Sequence, residues 1–524
     1  MKKISLLDCT LRDGGYVNKW NFGKCNMQKI VRQLVHSGVE VIECGYLTEN
    51  VERNEDSARF YTLEDVKKIY APQKSDEQHY AVMINYGEYP AEKLGPADAD
   101  SPIIRLAFHK KDCEGAFAYF QKLEELGYTY FVQPMGALNY TDTEFIALIQ
   151  RVNATKAEAF YVVDSFGVME FQDFKRLMFL ADHSLSAQKQ LGYHSHNNLQ
   201  QAYSNSQCMT ELKLDHDLVI DATVFGMGRG AGNLNIELFA RYLNRYFGKQ
   251  YDIEAFLEVF DECLKPIFIS SFWGYSLPYY LSSIHNCHPN YAAYFNEKNT
   301  LSIRSMHELL SMVSDEDKVS FTTEKADAYY LKYQENYVDD AAVLNQLQES
   351  LKNREVLLLA PGRSLSTCQD QIQAFIQEKH PVIIGINAAS ALYQYDYLLV
   401  ANEKRYTDVK PENVQCRILT SNLHTSLPTD LVINYSSYLL TDSAVYDDPT
   451  FMMIKLLRSV GILELHIAGF DGFSASAKEN YFEQQMSLGT NLKTKTEKNE
   501  QIKLELAKLQ QAVKLHFLTP SLYL

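Results

Sequence analysis

The chain has 524 residues, 46% hydrophobic and 22% charged, a composition of folded enzymes rather than disordered or fibrous chains, and a length beyond one ordinary core. Its 66 acidic residues against 50 basic ones give a formal net charge of −16, which excludes a general affinity for nucleic acid or anionic membrane. No run of ~20 apolar residues offers a membrane span, no apolar signal core follows Lys2 and Lys3, and the nine cysteines lack paired spacing, so a cytoplasmic protein with reduced thiols is expected.

From residue 4 to about 246 short apolar runs alternate with amphipathic stretches, the pattern of a parallel sheet wrapped by helices. Eight strands are expected, at Ile4–Asp8, Val39–Cys44, Tyr80–Ile84, Ile103–Ala107, Tyr128–Val132, Phe160–Asp164, Gly192–His196 and Leu218–Thr223. Helices are expected between them, at Asn26–His36, Phe117–Leu126, Thr143–Val152, Phe171–Ala181, Leu199–Leu212 and Ile236–Tyr246. The segments before the third and fourth strands read as weaker helices, the latter because Tyr89-Pro90 and Gly95-Pro96 interrupt it. Eight strands suit a closed (β/α)8 barrel, although periodicity alone fits a doubly wound open sheet as well.

The expected organisation is a barrel over 1–250, a helical extension over 251–313, a linker with helix over 314–354, and a second, Rossmann-like α/β domain over 355–524. The extension carries an aromatic-rich stretch from Phe272 to Phe295. Domain packing is its simplest role; an interface in a homo-oligomer is the alternative.

The first strand runs into Asp8-Cys9-Thr10-Leu11-Arg12-Asp13-Gly14-Gly15, placing an arginine and a carboxylate in a loop at the C-terminal face of a barrel. The seventh expected strand ends His194-Ser195-His196. Residues two apart in a strand point the same way, so both imidazoles face the barrel mouth. Two histidines with one carboxylate form an open site for a divalent metal. The loop Gly226-Met227-Gly228-Arg229-Gly230-Ala231-Gly232-Asn233 lets backbone approach an anion and carries Asn233 towards the same place.

Together DCTLRDGG, VIECGY, VVDSFGVM, GYHSHNNLQQAYSN and FGMGRGAGN resemble the metal-dependent aldolase and lyase superfamily that includes 4-hydroxy-2-oxovalerate aldolase, HMG-CoA lyase and isopropylmalate synthase. The resemblance implies a divalent metal, Mn2+ or Mg2+, held by Asp13, His194 and His196 with Asn233 close by. It implies that metal and Arg12 bind a 2-oxo acid such as pyruvate and stabilise its enolate, with an aldehyde or acyl second substrate. Glu43 and Asp164 match family positions lining the mouth. Where those aldolases carry a histidine two residues after the glycine of Arg-Asp-Gly, this chain has Tyr16. Tyrosine, with an ordinary pKa near 10, is a poor base at neutral pH; Tyr16, Glu43, His285 and His288 stand as candidates for that role.

In the second domain the strand Val356–Ala360 is followed by Pro361-Gly362-Arg363-Ser364-Leu365, a turn into a helix that can cradle a phosphate through Gly362, Arg363 and Ser364. With Asn387, Asn402 and Gly469-Phe470-Asp471 the spacing loosely resembles Rossmann-like bacterial sialyltransferases and an archaeal pterin diphosphokinase family, implying a nucleotide or nucleotide-sugar site. The whole reads as an aldolase or Claisen-type enzyme with a role in making a surface-polysaccharide sugar. The rivals are a glycosyltransferase with a regulatory barrel and a non-catalytic metal-binding scaffold.

Overall fold

The computed structural model describes residues 2–524 apart from 74, 76, 425–426, 441–442, 475–479 and 484–491. It divides into two compact units, Met1–Ala293 and Tyr294–Leu524.

In the first unit the strands are β1 (Ile4–Asp8), β2 (Val41–Leu47), β3 (Arg59–Phe60), β4 (His79–Asn85), β5 (Ile103–Phe108), β6 (Tyr130–Pro134), β7 (Ala159–Asp164), β8 (Gln190–Ser195) and β9 (Leu218–Ala222). They pair in the order β1-β9-β8-β7-β6-β5-β4-β2, and β1 also pairs β2, which closes an eight-stranded parallel barrel. The sheet is closed, not open. Two-residue β3, absent from the sequence-based expectation, pairs only the outer end of β2.

The wrapping helices include Lys24–Ser37, Cys113–Leu126, Asp142–Asn153, Phe171–Ser184, Ala202–Glu211 and Ile236–Phe247. Before β4 the expected weakness does not hold: Leu63–Tyr70 is a full helix, because the Thr62 side chain accepts from the Asp65 amide at its start and Leu63, Val66, Ile69 and Tyr70 are buried on one side. Before β5 the prolines do break the helix, leaving only the 3-10 turn Ala91–Lys93. Outward-facing strand residues such as Leu6, Ile42, Val82 and Ile104 pack under these helices, whereas Leu7, Val41, Ala81, Ile103, Phe131, Ala159 and Val219 fill the barrel itself.

The second unit holds a seven-stranded parallel sheet: β10 (Val356–Leu359), β11 (Val382–Ile386), β12 (Tyr395–Val400), β13 (Val414–Thr420), β14 (Leu431–Ile433), β15 (Glu464–Ala468) and β16 (Lys514–Phe517). Their order, β14-β13-β12-β11-β10-β15-β16, runs outwards from β10 in both directions. One apolar cluster lies on each face, around Leu358 and Ile384 and around Leu357 and Leu398, which makes a doubly wound α/β layer. Residues 314–354 contain the helices Asp315–Lys318, Thr323–Gln334 and Ala341–Leu351.

Candidate metal centre

Strand parity stacks chemistry above the apolar filling of the barrel. Two residues beyond the inward Val41, Ile103, Phe131 and Val219 come Glu43, Arg105, Gln133 and Asp221, which therefore point inward as well. All four are buried. Arg105 pairs with Glu43 at 2.8 Å and with Asp221; Glu43 also receives Arg12 Nε at 2.8 Å, and Asp221 receives His194 Nδ1 at 2.8 Å. A continuous chain of charge, Arg12–Glu43–Arg105–Asp221–His194, thus crosses the barrel.

Burial by itself would weaken the charged forms of Arg12 and Arg105, but the adjacent carboxylates outweigh it and hold both guanidiniums protonated. Burial likewise pushes Asp221 up, and Arg105 with His194 pull it below the usual carboxylate range. Removing the central charge leaves buried Glu43 with Arg12 alone and buried Asp221 with His194 alone, so Arg105→Leu is expected to cost roughly 3–5 kcal/mol. Both tryptophans, Trp20 and Trp273, lie in this unit, so urea unfolding followed by their fluorescence measures that cost; a shift below about 1 kcal/mol, the value of an exposed pair, would show that the network is not a stabilising device.

The mouth is built on this layer. After β1 the Asp13 amide turns back to the Cys9 carbonyl at 2.8 Å, and Thr10 Oγ1 accepts from the Val224 amide at 2.9 Å, tying the first and last loops. Trp20 Nε1 donates to the Arg12 carbonyl at 2.7 Å; a Cβ on Gly15 would sit 2.0 Å from that indole, which is why glycine follows the Arg-Asp pair. Arg12 is almost fully buried, with Nη1 3.3 Å from Asp13 Oδ1 and Nη2 a buried donor with no protein acceptor.

His194 and His196 converge on Asp13, their Nε2 atoms 3.2 and 3.3 Å from Asp13 Oδ2. The opposite ring nitrogens fix the tautomers: His194 Nδ1–H donates to the Asp221 carboxylate and His196 Nδ1–H to the Asp164 carbonyl at 2.9 Å. Each Nε2 therefore presents a lone pair to a carboxylate oxygen, an arrangement that repels unless a cation lies between. Asp13 Oδ1, His196 Nε2 and Asn233 Oδ1 are buried without hydrogen-bond partners. Burial would raise the Asp13 carboxyl, but the adjacent Arg12 guanidinium outweighs it and holds it well below the usual range, so it is a ligand-ready anion. These residues fit a divalent metal. Asn233 reaches the site through its amide, Nδ2 donating to Asp13 Oδ2 at 2.6 Å. Its placement needs Gly232 at φ +86°, where a Cβ would lie 1.9 Å from the Gly226 carbonyl. Cys9, His194 and Asp221 also cluster, but Asp221 is already engaged by Arg105 and by His194.

The remaining expected residues divide. Glu43 meets both guanidiniums through Oε2 and so anchors Arg12, while its Oε1 is buried without a hydrogen-bond partner. The Asp164 side chain accepts from the Val168 and Met169 amides at 3.0 and 3.1 Å and so shapes its own loop, while its backbone carbonyl orients His196. Tyr16 lies at the rim, its hydroxyl 3.2 Å from that of Tyr46. His288 Nε2 lies 3.5 Å from Arg229 Nη1, and burial, with Arg229 and His109 nearby, pushes its imidazole down to about 3. That makes it a weak base. His285 follows the helix Leu277–Ile284.

Arg105, Asp221, Arg229 and Tyr46 were not expected as site residues. A signal for Arg105 existed, an arginine at an inward position of the apolar run Ile103–Phe108.

In the second unit the turn expected to cradle a phosphate carries an internal contact at Ser364. The Ser364 amide donates to Asp471 Oδ2 at 2.7 Å and the Ser364 hydroxyl to Asp471 Oδ1. An internal carboxylate thus occupies both Ser364 donors, and the helix that follows, Ser364–Thr367, has only four residues.

Fold and site together define a class, a closed parallel (β/α)8 barrel with a carboxylate and two histidines set for a divalent metal at the C-terminal face of its strands. Residues 3–261, which hold the barrel, match the HMGL-like family model. Over 266 residues it is 25% identical to 4-hydroxy-2-oxovalerate aldolase 6 of Rhodococcus jostii, spanning 50% of this chain and 74% of the relative. Over 250 residues it is 28% identical to the 4-hydroxy-2-oxovalerate aldolase of Chloroflexus aggregans, spanning 47% and 70%. A domain from Bacteroides vulgatus, provisionally described as the N-terminal part of an aldolase, is 25% identical, with 58% of this chain and 99% of that one covered at a TM-score of 0.49. The family match ends before the second unit begins, and among the described residues no helix is long and apolar enough to cross a membrane.

Proposed function

We propose that the barrel is a divalent-metal-dependent carbon–carbon lyase, an aldolase or Claisen-type enzyme, acting in the cytoplasm on a 2-oxo acid such as pyruvate. The observation that carries this reading is the convergence of two tautomer-locked Nε2 atoms on Asp13 Oδ2. A bound Mn2+ or Mg2+ supplies a Lewis acid for the oxygens of the 2-oxo acid.

The chain's own groups do the rest. Arg12 turns Nη2, a buried donor without an acceptor, to the oxygen where charge develops as a proton leaves the carbon next to the carbonyl. Glu43 and Arg105 hold that guanidinium in place. The Tyr16 and Tyr46 hydroxyls pair at the rim at 3.2 Å and can relay that proton, but burial pushes the Tyr46 hydroxyl well above its ordinary value, so the pair is a relay and not the base. The experiment is enolisation of a panel of 2-oxo acids in deuterated water with Mn2+ or Mg2+; exchange at the carbon next to the carbonyl is expected, and its absence across the panel contradicts the reading.

A specific observation supports binding in the second unit as well. A cavity of about 250 Å³, lined among others by Gly362, Asn387, Asn402, Arg405, Asp471 and Tyr481, lies at the carboxyl ends of β10, β11, β12 and β15, where the strand order reverses. Ligands of doubly wound sheets bind at such points. The nucleotide or nucleotide-sugar reading is carried by this cavity, whose lining includes Gly362 of the turn, and a joint role in making a polysaccharide sugar follows if it holds one. The alternative of a glycosyltransferase with a non-catalytic barrel is disfavoured by the complete ligand set at the barrel mouth.

A further inference from the structure

Arg229 stands apart among the arginines of the barrel mouth. Arg12 and Arg105 are each neutralised by carboxylates within 3.3 Å. Arg229 has no carboxylate within salt-bridge distance among the described residues. Its Nη2 donates to the Ser165 carbonyl at 2.9 Å, its Nε is buried without a partner, and its guanidinium carbon lies over the Tyr16 ring, 5.1 Å from the centroid. These contacts come from the loops after β1 and β7, while Arg229 itself follows β9, so two other loops brace the group on the face that carries Asp13 and both histidines. It sits four residues before Asn233, which touches Asp13.

The neighbour on its other side does not neutralise it. His288 Nδ1 accepts from the Asn290 amide at 3.2 Å; a neutral imidazole then carries its proton on Nε2, the atom 3.5 Å from Arg229 Nη1. A half-buried guanidinium held without a countercharge contributes poorly to stability, and in a chain of net charge −16 it is a local attractor for anions. Stacked on Tyr16 and pinned through Nη2, its fork is pre-organised for a carboxylate or phosphate.

We propose that Arg229 binds an anionic group, a carboxylate or a phosphate, on the second, electrophilic substrate, so that the acceptor of this barrel is a charged aldehyde or acyl compound rather than a simple neutral one. Tyr16 contributes by holding the guanidinium from below, a role for the residue that replaces the family histidine. This rests on the lyase reading above.

The test pairs two measurements on the full chain with Mn2+. Exchange of the pyruvate methyl protons with deuterated water, which needs no acceptor, first establishes whether the barrel enolises. Condensation of pyruvate is then compared for neutral acceptors (acetaldehyde, propionaldehyde), carboxylated ones (glyoxylate, succinate semialdehyde) and a phosphorylated one (glyceraldehyde 3-phosphate), alongside direct calorimetric titration of each acceptor. The parent is expected to prefer one anionic class by about 10–100-fold in kcat/KM, the worth of a hydrogen bond to a charged group, and to bind it more tightly by calorimetry. Arg229→Gln is expected to erase that preference through KM, and Arg229→Lys to restore part of it by keeping the charge. The carboxylated and phosphorylated arms decide which anion is held.

Failure to enolise any 2-oxo acid removes the lyase reading and this proposal with it. Enolisation without a preference for anionic acceptors, or a preference that survives in Arg229→Gln, overturns the Arg229 assignment alone. A rise in the pyruvate KM for exchange in Arg229→Gln, measured without any acceptor, overturns it too, because Arg229 would then hold the carboxylate of the 2-oxo acid itself.

Discussion

Asp13→Ala and His194→Ala are expected to lose the divalent metal and, with it, turnover, while keeping the barrel folded. The Asp13 oxygen lies within 3.3 Å of both imidazole nitrogens, so neither variant leaves a closed ligand set. Loss of an outer-shell partner alone typically costs 10–100-fold in metal affinity, and removal of a ligand is expected to exceed about 100-fold. Titration with Mn2+, following the free ion by electron paramagnetic resonance, reads the affinity directly; circular dichroism reports the fold. Parent-like affinity in either variant would remove that residue from the ligand set. His194→Ala also strands Asp221, which then keeps only Arg105, so some loss of stability accompanies it and Asp13→Ala is the cleaner case.

Arg12→Lys is expected to keep the metal and lose turnover by about 100–1,000-fold, the usual cost of deleting an oxyanion donor. The reason is geometric. Arg12 uses Nε on Glu43 and Nη1 on Asp13 while Nη2 remains for the substrate; one ammonium group cannot serve three directions at fixed angles. Steady-state kinetics beside the Mn2+ titration separates the two effects. Unchanged turnover removes Arg12 from the chemistry, and lost metal with lost turnover makes it a structural support of Asp13.

Much of this site was legible in the chain because it depends on short-range periodicity. His194 and His196 share a face through strand parity, and Arg12-Asp13-Gly14-Gly15 marks a loop by its glycines. The barrel strands read well for the same reason, since buried parallel strands are short, continuous apolar runs. What stayed hidden depends on partners far along the chain. Glu43 and Asp221 are 178 residues apart by their numbers, and only barrel closure sets Arg105 between them. Nothing local to Ser364 says that Asp471, 107 residues later, takes its donors. The helix Leu63–Tyr70 shows a milder limit, in which a Thr62 cap and a four-residue apolar face sufficed where a longer run was sought.

The loop holding Arg229 illustrates both sides. Its glycines signalled an anion-approaching backbone, but the arginine among them passed as a loop residue, because its significance lies in what does not surround it. Tyr16, seen in the sequence only as a departure from a histidine, gains a position beside Tyr46 and beneath Arg229.

The central claim is that Asp13, His194 and His196 hold a divalent cation beside Arg12 at a site that forms enolates. The most direct measurement is exchange of pyruvate methyl protons with deuterated water, followed by proton NMR with added Mn2+ or Mg2+, in the parent and in Asp13→Ala and Arg12→Lys. The account predicts metal-dependent exchange in the parent that chelation abolishes and both variants lack. Exchange persisting in Asp13→Ala or in the chelated parent would contradict it.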